Sequence, residues 1–369
     1  MSNDVPPPAH QADTHRERLR RQPHHPRRRH LAGRIQRPDP RPARLPDTHP
    51  PRRPRRRPER LLRHRPRRLH HHRPHQLKGA TMIPVVDMCS GTGELSAATR
   101  GTLSAPTGLA SLSDSDSRAR EYLAARWPTV DLHNDCRDQD VPDGAITTIG
   151  APCQDLSYAG GRSGAAAGSG TRSALIHDCI AAATGRASLI IAENVPGGRD
   201  TYDNIAAQLR DNGYKATVVT GGAWEVGAPH RRQRLMLVAT KRTWRVRPVN
   251  AARTAPPRQL LPTPTASSST GPGRQGRAGG MNLQTWADTT NEPPLPLLYT
   301  WGQITGSTPP PHRDDRGRLN VRFVEWMMGL PAAGNLSRRA RIRLAGNAVV
   351  GRQAGLMLVR ALAQLNSTI

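Results

Sequence analysis

The chain has 369 residues, 35% of them hydrophobic, and carries 55 Lys and Arg against 28 Asp and Glu, a formal net charge of +27. That length has room for two domains. No apolar run approaches the roughly 20 residues of a membrane span and the N-terminus has no signal-peptide core, so the composition argues against membrane and exported classes and predicts a cytoplasmic protein.

Residues 1–80 hold 23 of the Lys and Arg against 6 Asp and Glu, which is +17 of the +27. Runs such as Pro51-Arg52-Arg53-Pro54-Arg55-Arg56-Arg57-Pro58 have no apolar period to bury, so residues 1–81 cannot offset their ordering entropy and are expected to be disordered. One reading is a polycationic arm that neutralises nucleic-acid phosphates. The other, which we prefer, is text of the kind an out-of-frame reading of GC-rich coding sequence yields, with Met82 as the start. His70-His71-His72 lack the cysteine or carboxylate partners of a zinc site.

From Met82 the pattern changes. Ile83 to Met88 reads as a buried strand, Cys89-Ser90-Gly91-Thr92-Gly93 as a Gly-rich turn, and Glu94 to Arg100 as a helix start. This turn lacks both the dinucleotide G-x-G-x-x-G spacing and a Walker lysine. A second strand, Leu109 to Leu112, ends at Asp114-Ser115-Asp116. An acid there either accepts ribose hydroxyls or caps the helix read over Ser117 to Arg126, and the two aspartates can divide these roles. A third acidic end is Asn134-Asp135-Cys136-Arg137-Asp138.

Ala145 to Ile149 is a further strand and runs into Gly150-Ala151-Pro152-Cys153-Gln154. In an open α/β sheet this puts Cys153 at a carboxyl strand end, where sites are built; the alternative is a small buried hydrophobe, the usual fate of a free thiol. Cys89, Cys136, Cys153 and Cys179 lie far apart with no C-x-x-C pair, which points to neither a structural zinc site nor a disulfide framework. Gly160 to Thr171 reads as a mobile loop able to close over a substrate.

A helix over Arg172 to Ala183 precedes the strand Ala187 to Ala192, which ends in Glu193-Asn194-Val195. Glu193 is either a solvated turn residue or a carboxylate held for chemistry. Next come a helix over Tyr202 to Asn212 with a Gly213 stop, a strand over Lys215 to Gly221, and Arg231-Arg232-Gln233-Arg234 leading into the strand Leu235 to Thr240. From Lys241 the text is rich in Pro, Gly, Ser and Thr, and its Trp244, Trp286 and Trp301 need somewhere to pack, so 241–331 reads as a small loop-rich domain. Val321, Val324, Met327 and Met328 share helical spacing, and Arg352 to Leu365 is an apolar helix that packs on the main sheet.

In this order the motifs resemble those of the DNA (cytosine-5) methyltransferase family from Met82 to the C-terminus. The resemblance implies a Rossmann-like α/β sheet, with 82–240 and 332–369 as catalytic domain and 241–331 as target-recognition domain. Asp87, Cys89, Ser90, Gly91 and Gly93 resemble the S-adenosylmethionine loop, Asp114 the ribose acid and Asp135 the adenine-contacting acid. Pro152-Cys153-Gln154 resembles the nucleophile motif, Glu193-Asn194-Val195 the base-protonating motif and Arg232-Gln233-Arg234 the arginine motif. Asn347 and Val349 belong to a last motif that returns to the cofactor.

The implied reaction is methylation of C5 of a flipped cytosine in duplex DNA at a specific sequence, with Cys153 adding to C6, Glu193 at N3, and Arg234 and Arg232 at O2. A monomer is implied, with no metal and no membrane, in restriction-modification or phage DNA protection, with a restriction endonuclease acting separately. There are departures: Cys89 stands where phenylalanine is usual, Glu94 where a glycine is common, Asp114 for glutamate and His230 for glutamine. No tryptophan follows Gly329-Leu330-Pro331. An RNA cytosine methyltransferase and a non-catalytic DNA-binding protein on a decayed scaffold are the competing readings. An amino-methyltransferase is excluded, because no Asn/Asp-Pro-Pro-aromatic motif is present.

Overall fold

The computed structural model describes residues 82–152, 174–249, 254, 259–272 and 281–367. Cys153, the Gly160 to Thr171 loop and residues 1–81 therefore lie outside the described residues. Seven strands form one sheet: β1 (Ile83–Met88), β2 (Thr107–Ser113), β3 (Asp131–His133), β4 (Ile146–Ile149), β5 (Leu189–Asn194), β6 (Tyr214–Gly222) and β7 (Gln233–Lys241). Their order is β3-β2-β1-β4-β5-β7-β6, with β7 antiparallel to both of its neighbours and the remaining pairs parallel. The order reverses between β1 and β4, and a crevice at the carboxyl strand ends opens at such a point.

Strand residues alternate between two apolar layers, as the period of two requires. Val86, Ile190, Ala192, Leu235 and Leu237 face α3 (Leu175–Ala183) and α4 (Arg199–Asp211). Val85, Leu189, Ile191, Met236 and Val238 face α1 (Glu94–Thr102) and α9 (Gly351–Ser367). Both faces are covered, so these strands read in the sequence as unbroken apolar runs. Between β2 and β3 lies α2 (Ser117–Arg126), whose N-cap Asp116 accepts the Arg118 N–H.

Among the described residues, the segment after β7 holds a 3-10 turn (Ala266–Ser269) and the short helices α5 (Leu283–Thr289), α6 (Leu295–Thr305) and α7 (Val321–Met327). Trp286 stacks on Phe323 and Phe323 on Trp326, at centroid distances of 6.0 and 5.9 Å. Trp301 is fully enclosed, and its indole N–H donates to the Trp326 carbonyl at 2.8 Å. Trp244 packs instead against the layer of α1 and α9. The tryptophan cluster also takes in Ile342 and Ala345 of α8 (Arg338–Asn347), Ala348 and Val350 beyond it, and Ala223 and Ala228 before β7. A boundary at 331/332 thus passes through one continuous apolar core. No helix among the described residues is long and apolar enough to cross a membrane.

Candidate active site

A cavity of about 700 Å³ opens at the carboxyl ends of β1 to β5. Among the residues singled out from the sequence, Asp87, Cys89, Ser90, Gly91, Asp114, Asp135, Pro152, Glu193, Arg234, Asn347 and Val349 line it. Gly93 and Arg232 do not, and Cys153, next to Pro152, lies outside the described residues.

The turn after β1 is built on Asp87, which is fully buried. Ser96 Oγ of α1 and Thr148 Oγ1 of β4 donate to its two carboxylate oxygens at 2.7 and 2.6 Å. Burial outweighs these bonds and lifts its pKa to about 7. Its part is to fix the helix start and the neighbouring strand against the turn. Gly91 has φ 57 and donates its N–H to Asp114 Oδ2 at 2.8 Å, while Oδ1 accepts the Asp116 N–H at 2.8 Å. Each Asp114 oxygen keeps a lone pair for a ligand. The two aspartates divide their work: Asp116 caps α2 and Asp114 holds the turn. Asp135 pairs with Arg137 at 2.5 Å, and those hydrogen bonds bring its carboxyl down to about 2.

Gly93, at φ 69 just before α1, is needed for another reason. A Cβ there would run into the Trp127 ring, over which the Arg126 guanidinium stacks at 4.3 Å. Arg126 also pairs with Glu94, so the glutamate that departs from the family pattern is neutralised within the turn.

Glu193 and Arg234 meet through strand register. Glu193 is paired with Met236 on antiparallel β7, and Arg234, two residues earlier, points to the same face as its diagonal neighbour. Arg234 Nε lies 2.9 Å from Glu193 Oε1. The contact is a buried ion pair. Burial raises the Glu193 pKa, with Arg234 and then Arg232 opposing. Next to it, Asn194 Nδ2 donates to the Ala151 carbonyl at 3.3 Å and to Tyr202 Oη at 3.0 Å, tying the Pro152 loop to β5 and α4.

Arg232 corrects the sequence reading. It precedes the first residue of β7 with φ 29, which breaks the two-residue period that would have aligned it with Arg234. Its guanidinium is buried, donating to the carbonyls of Pro264 and Gly346 at 3.1 and 3.2 Å and to that of Ala348. It holds the Asn347 and Val349 segment against the sheet and does not face the cavity. His230, fully buried, is within 3.1 Å of the Met327 carbonyl through Nε2, and burial lowers its pKa to about 3.

Three features were not apparent in the sequence. Asn194 and Tyr202 position the Pro152 loop, and only the neighbourhood of Glu193 hinted at the first. Arg343 of α8 reaches the cavity from a stretch with no motif. Lastly, Cys89, Cys136 and Cys179 converge: their sulfurs lie within 4.8 Å of one another, against the expectation drawn from their separation in the chain.

A curated type II methyltransferase of Bacillus subtilis, M2.BsuMI, is 26% identical over 267 residues, covering 63% of this chain. The chain spans 64% of that relative, just under two thirds of its length. Among solved structures, a DNMT2 mutant of Spodoptera frugiperda aligns with a TM-score of 0.48 at 13% identity, over 75% of this chain and 98% of that one. The Entamoeba histolytica methyltransferase EhMeth aligns with a TM-score of 0.48 at 12% identity, over 77% and 99%. The family profile of C-5 cytosine-specific DNA methylases matches residues 83–272, more than half of the chain, and the protein belongs to that family.

Proposed function

We propose that this protein methylates C5 of cytosine in duplex DNA at a specific sequence, using S-adenosylmethionine, as the modification enzyme of a restriction-modification or phage-protection system. The observation that carries the reading is the buried Glu193–Arg234 ion pair at adjoining strand ends, in the wall of a cavity that Pro152 also lines.

The cavity residues fit a nucleoside-bearing donor. Its volume lies within the range of small-molecule sites, Asp114 keeps acceptor capacity for ribose hydroxyls, and at Gly91 no atom lies within 4 Å of where a Cβ would stand. When bound, S-adenosylmethionine supplies an electrophilic methyl group on a sulfonium. The chain's own residues prepare the base. Cys153 adds its sulfur at C6, which makes C5 nucleophilic. Glu193, whose burial favours its protonated form, donates at N3 as charge builds on the ring, and Arg234 holds O2. Expulsion of the sulfur with loss of the C5 proton restores the ring. A stacked cytosine is out of reach, so the base is flipped, with 241–331 reading the sequence. The enzyme acts as a monomer, and any cognate endonuclease acts separately, a role in keeping with the type II name of the Bacillus relative.

Bisulfite sequencing of DNA from a host expressing the protein is expected to show protected cytosines in one sequence context, and none with Cys153→Ser. Absence of protection with a folded, cofactor-binding wild type would overturn the reading in favour of a DNA-binding scaffold.

A further inference from the structure

Cys89 follows β1, Cys136 opens the turn after β3, and Cys179 lies in α3. Three separate elements thus deliver one sulfur each to a common point. All three sulfurs lie within 4.8 Å of one another, and those of Cys179 and Cys136 are 3.5 Å apart. Thiolates bound at about 2.3 Å to a tetrahedral or trigonal metal ion stand about 3.8 to 4.0 Å from each other. The triangle already has nearly this size, so an ion can be seated with small side-chain movements and no rearrangement of the sheet.

The surroundings are those of a soft-metal site. Cys136 and Cys179 are 5% and 1% exposed, within the apolar layer that includes Met88, Ile149 and Ile176. Cys89 is held at φ 53, a left-handed conformation that a residue with a Cβ adopts only when its neighbours impose it. Cys89 and Cys136 also line the cavity, so an ion among the sulfurs is reached from it and keeps a fourth position turned toward it. An all-sulfur donor set selects zinc or copper(I) over magnesium or calcium.

We propose that Cys89, Cys136 and Cys179 form a three-thiolate binding site for a thiophilic metal ion, zinc in the cell, in the wall of the cavity. This stands on the sulfur geometry and does not rest on the methyl-transfer reading. Binding converts the coordinating thiols to thiolates and releases their protons.

The test is titration of the reduced full-length protein with cadmium, followed by the ultraviolet sulfur-to-metal charge-transfer band, which imidazoles such as those of His70 to His72 do not give. One equivalent is expected to saturate the band. Cys89→Ala, Cys136→Ala and Cys179→Ala should each weaken binding at least tenfold, while Cys153→Ser leaves it unchanged. Zinc added beforehand should compete for the same thiolates and raise the cadmium concentration needed to develop the band. No band at saturating cadmium on the wild type overturns the proposal whatever the variants do. So does a band that disappears with Cys153→Ser or that survives all three alanine replacements.

Discussion

Glu193 is a carboxyl whose environment opposes its ionisation, and the proposed chemistry uses it in the protonated form. Methyl transfer should therefore fall as pH rises through its raised pKa. In Glu193→Gln, whose amide donates but does not titrate, that alkaline limb should vanish. Glu193→Ala should lose roughly 10²- to 10⁴-fold in single-turnover rate. His230 makes a complementary prediction about stability. Its folded pKa, about 3, lies below that of a free imidazole, about 6.5, so below pH 6.5 the unfolded chain takes up a proton that the fold refuses. Stability is fully present above pH 6.5 and declines as pH falls toward 3. His230→Gln removes this slope, so its stability deficit relative to wild type should shrink by up to about 1.4 kcal/mol per pH unit on acidification, measured by urea unfolding. A deficit that stays constant would mean that the buried imidazole protonates freely. Asp87 acts with the opposite sign: its carboxyl, lifted to about 7, adds stability at low pH that is lost as pH rises through 7. Only a comparison of variant with wild type therefore isolates the histidine.

At the scale of elements, much of the sheet was legible, because a strand covered on both faces leaves an apolar run between turn signals. Ile83 to Met88, Leu189 to Ala192 and Leu235 to Thr240 are examples. The three residues of β3 are too few to show a period, and α8 carries arginines on most of its surface, so neither stood out. The acids of the site were visible because each stands at the end of a strand or just beyond it. The partnership of three cysteines was not, because it is made by the packing of β1, the turn after β3, and α3. Arg232 and Arg234 look equivalent as letters, and only the positive φ of Arg232 separates their directions. That difference is testable. Arg232→Met strands three buried carbonyls and should cost roughly 2–5 kcal/mol in urea unfolding. Arg234→Met, at the cavity wall, should spare stability and reduce methyl transfer. The reversed direction of β7 has a further effect: a slip of one residue against β5 would turn Arg234 to the opposite face and leave Glu193 without its cation. The strand is therefore less tolerant of insertions and deletions than of substitutions.

For the whole molecule, charge and architecture separate. Residues 1–80 carry +17 of the +27, while Pro74–Ile369 is one compact unit by its own contacts. A protein starting at Met82 is expected to keep its site-specific methylation and the salt dependence of its DNA affinity. A fall in the slope of log affinity against log salt would show instead that the arm binds phosphates. The shared apolar core also bears on how new specificities could arise. Trading residues 241–331 alone for those of a relative would set Ile342, Ala345, Ala348 and Val350 against a foreign surface, with Ala223 and Ala228 behind it. A successful chimera must carry the stretch through Val350, and with it the carbonyls that Arg232 binds, so the exchanged segment and the cavity wall at Asn347 and Val349 would be inherited together.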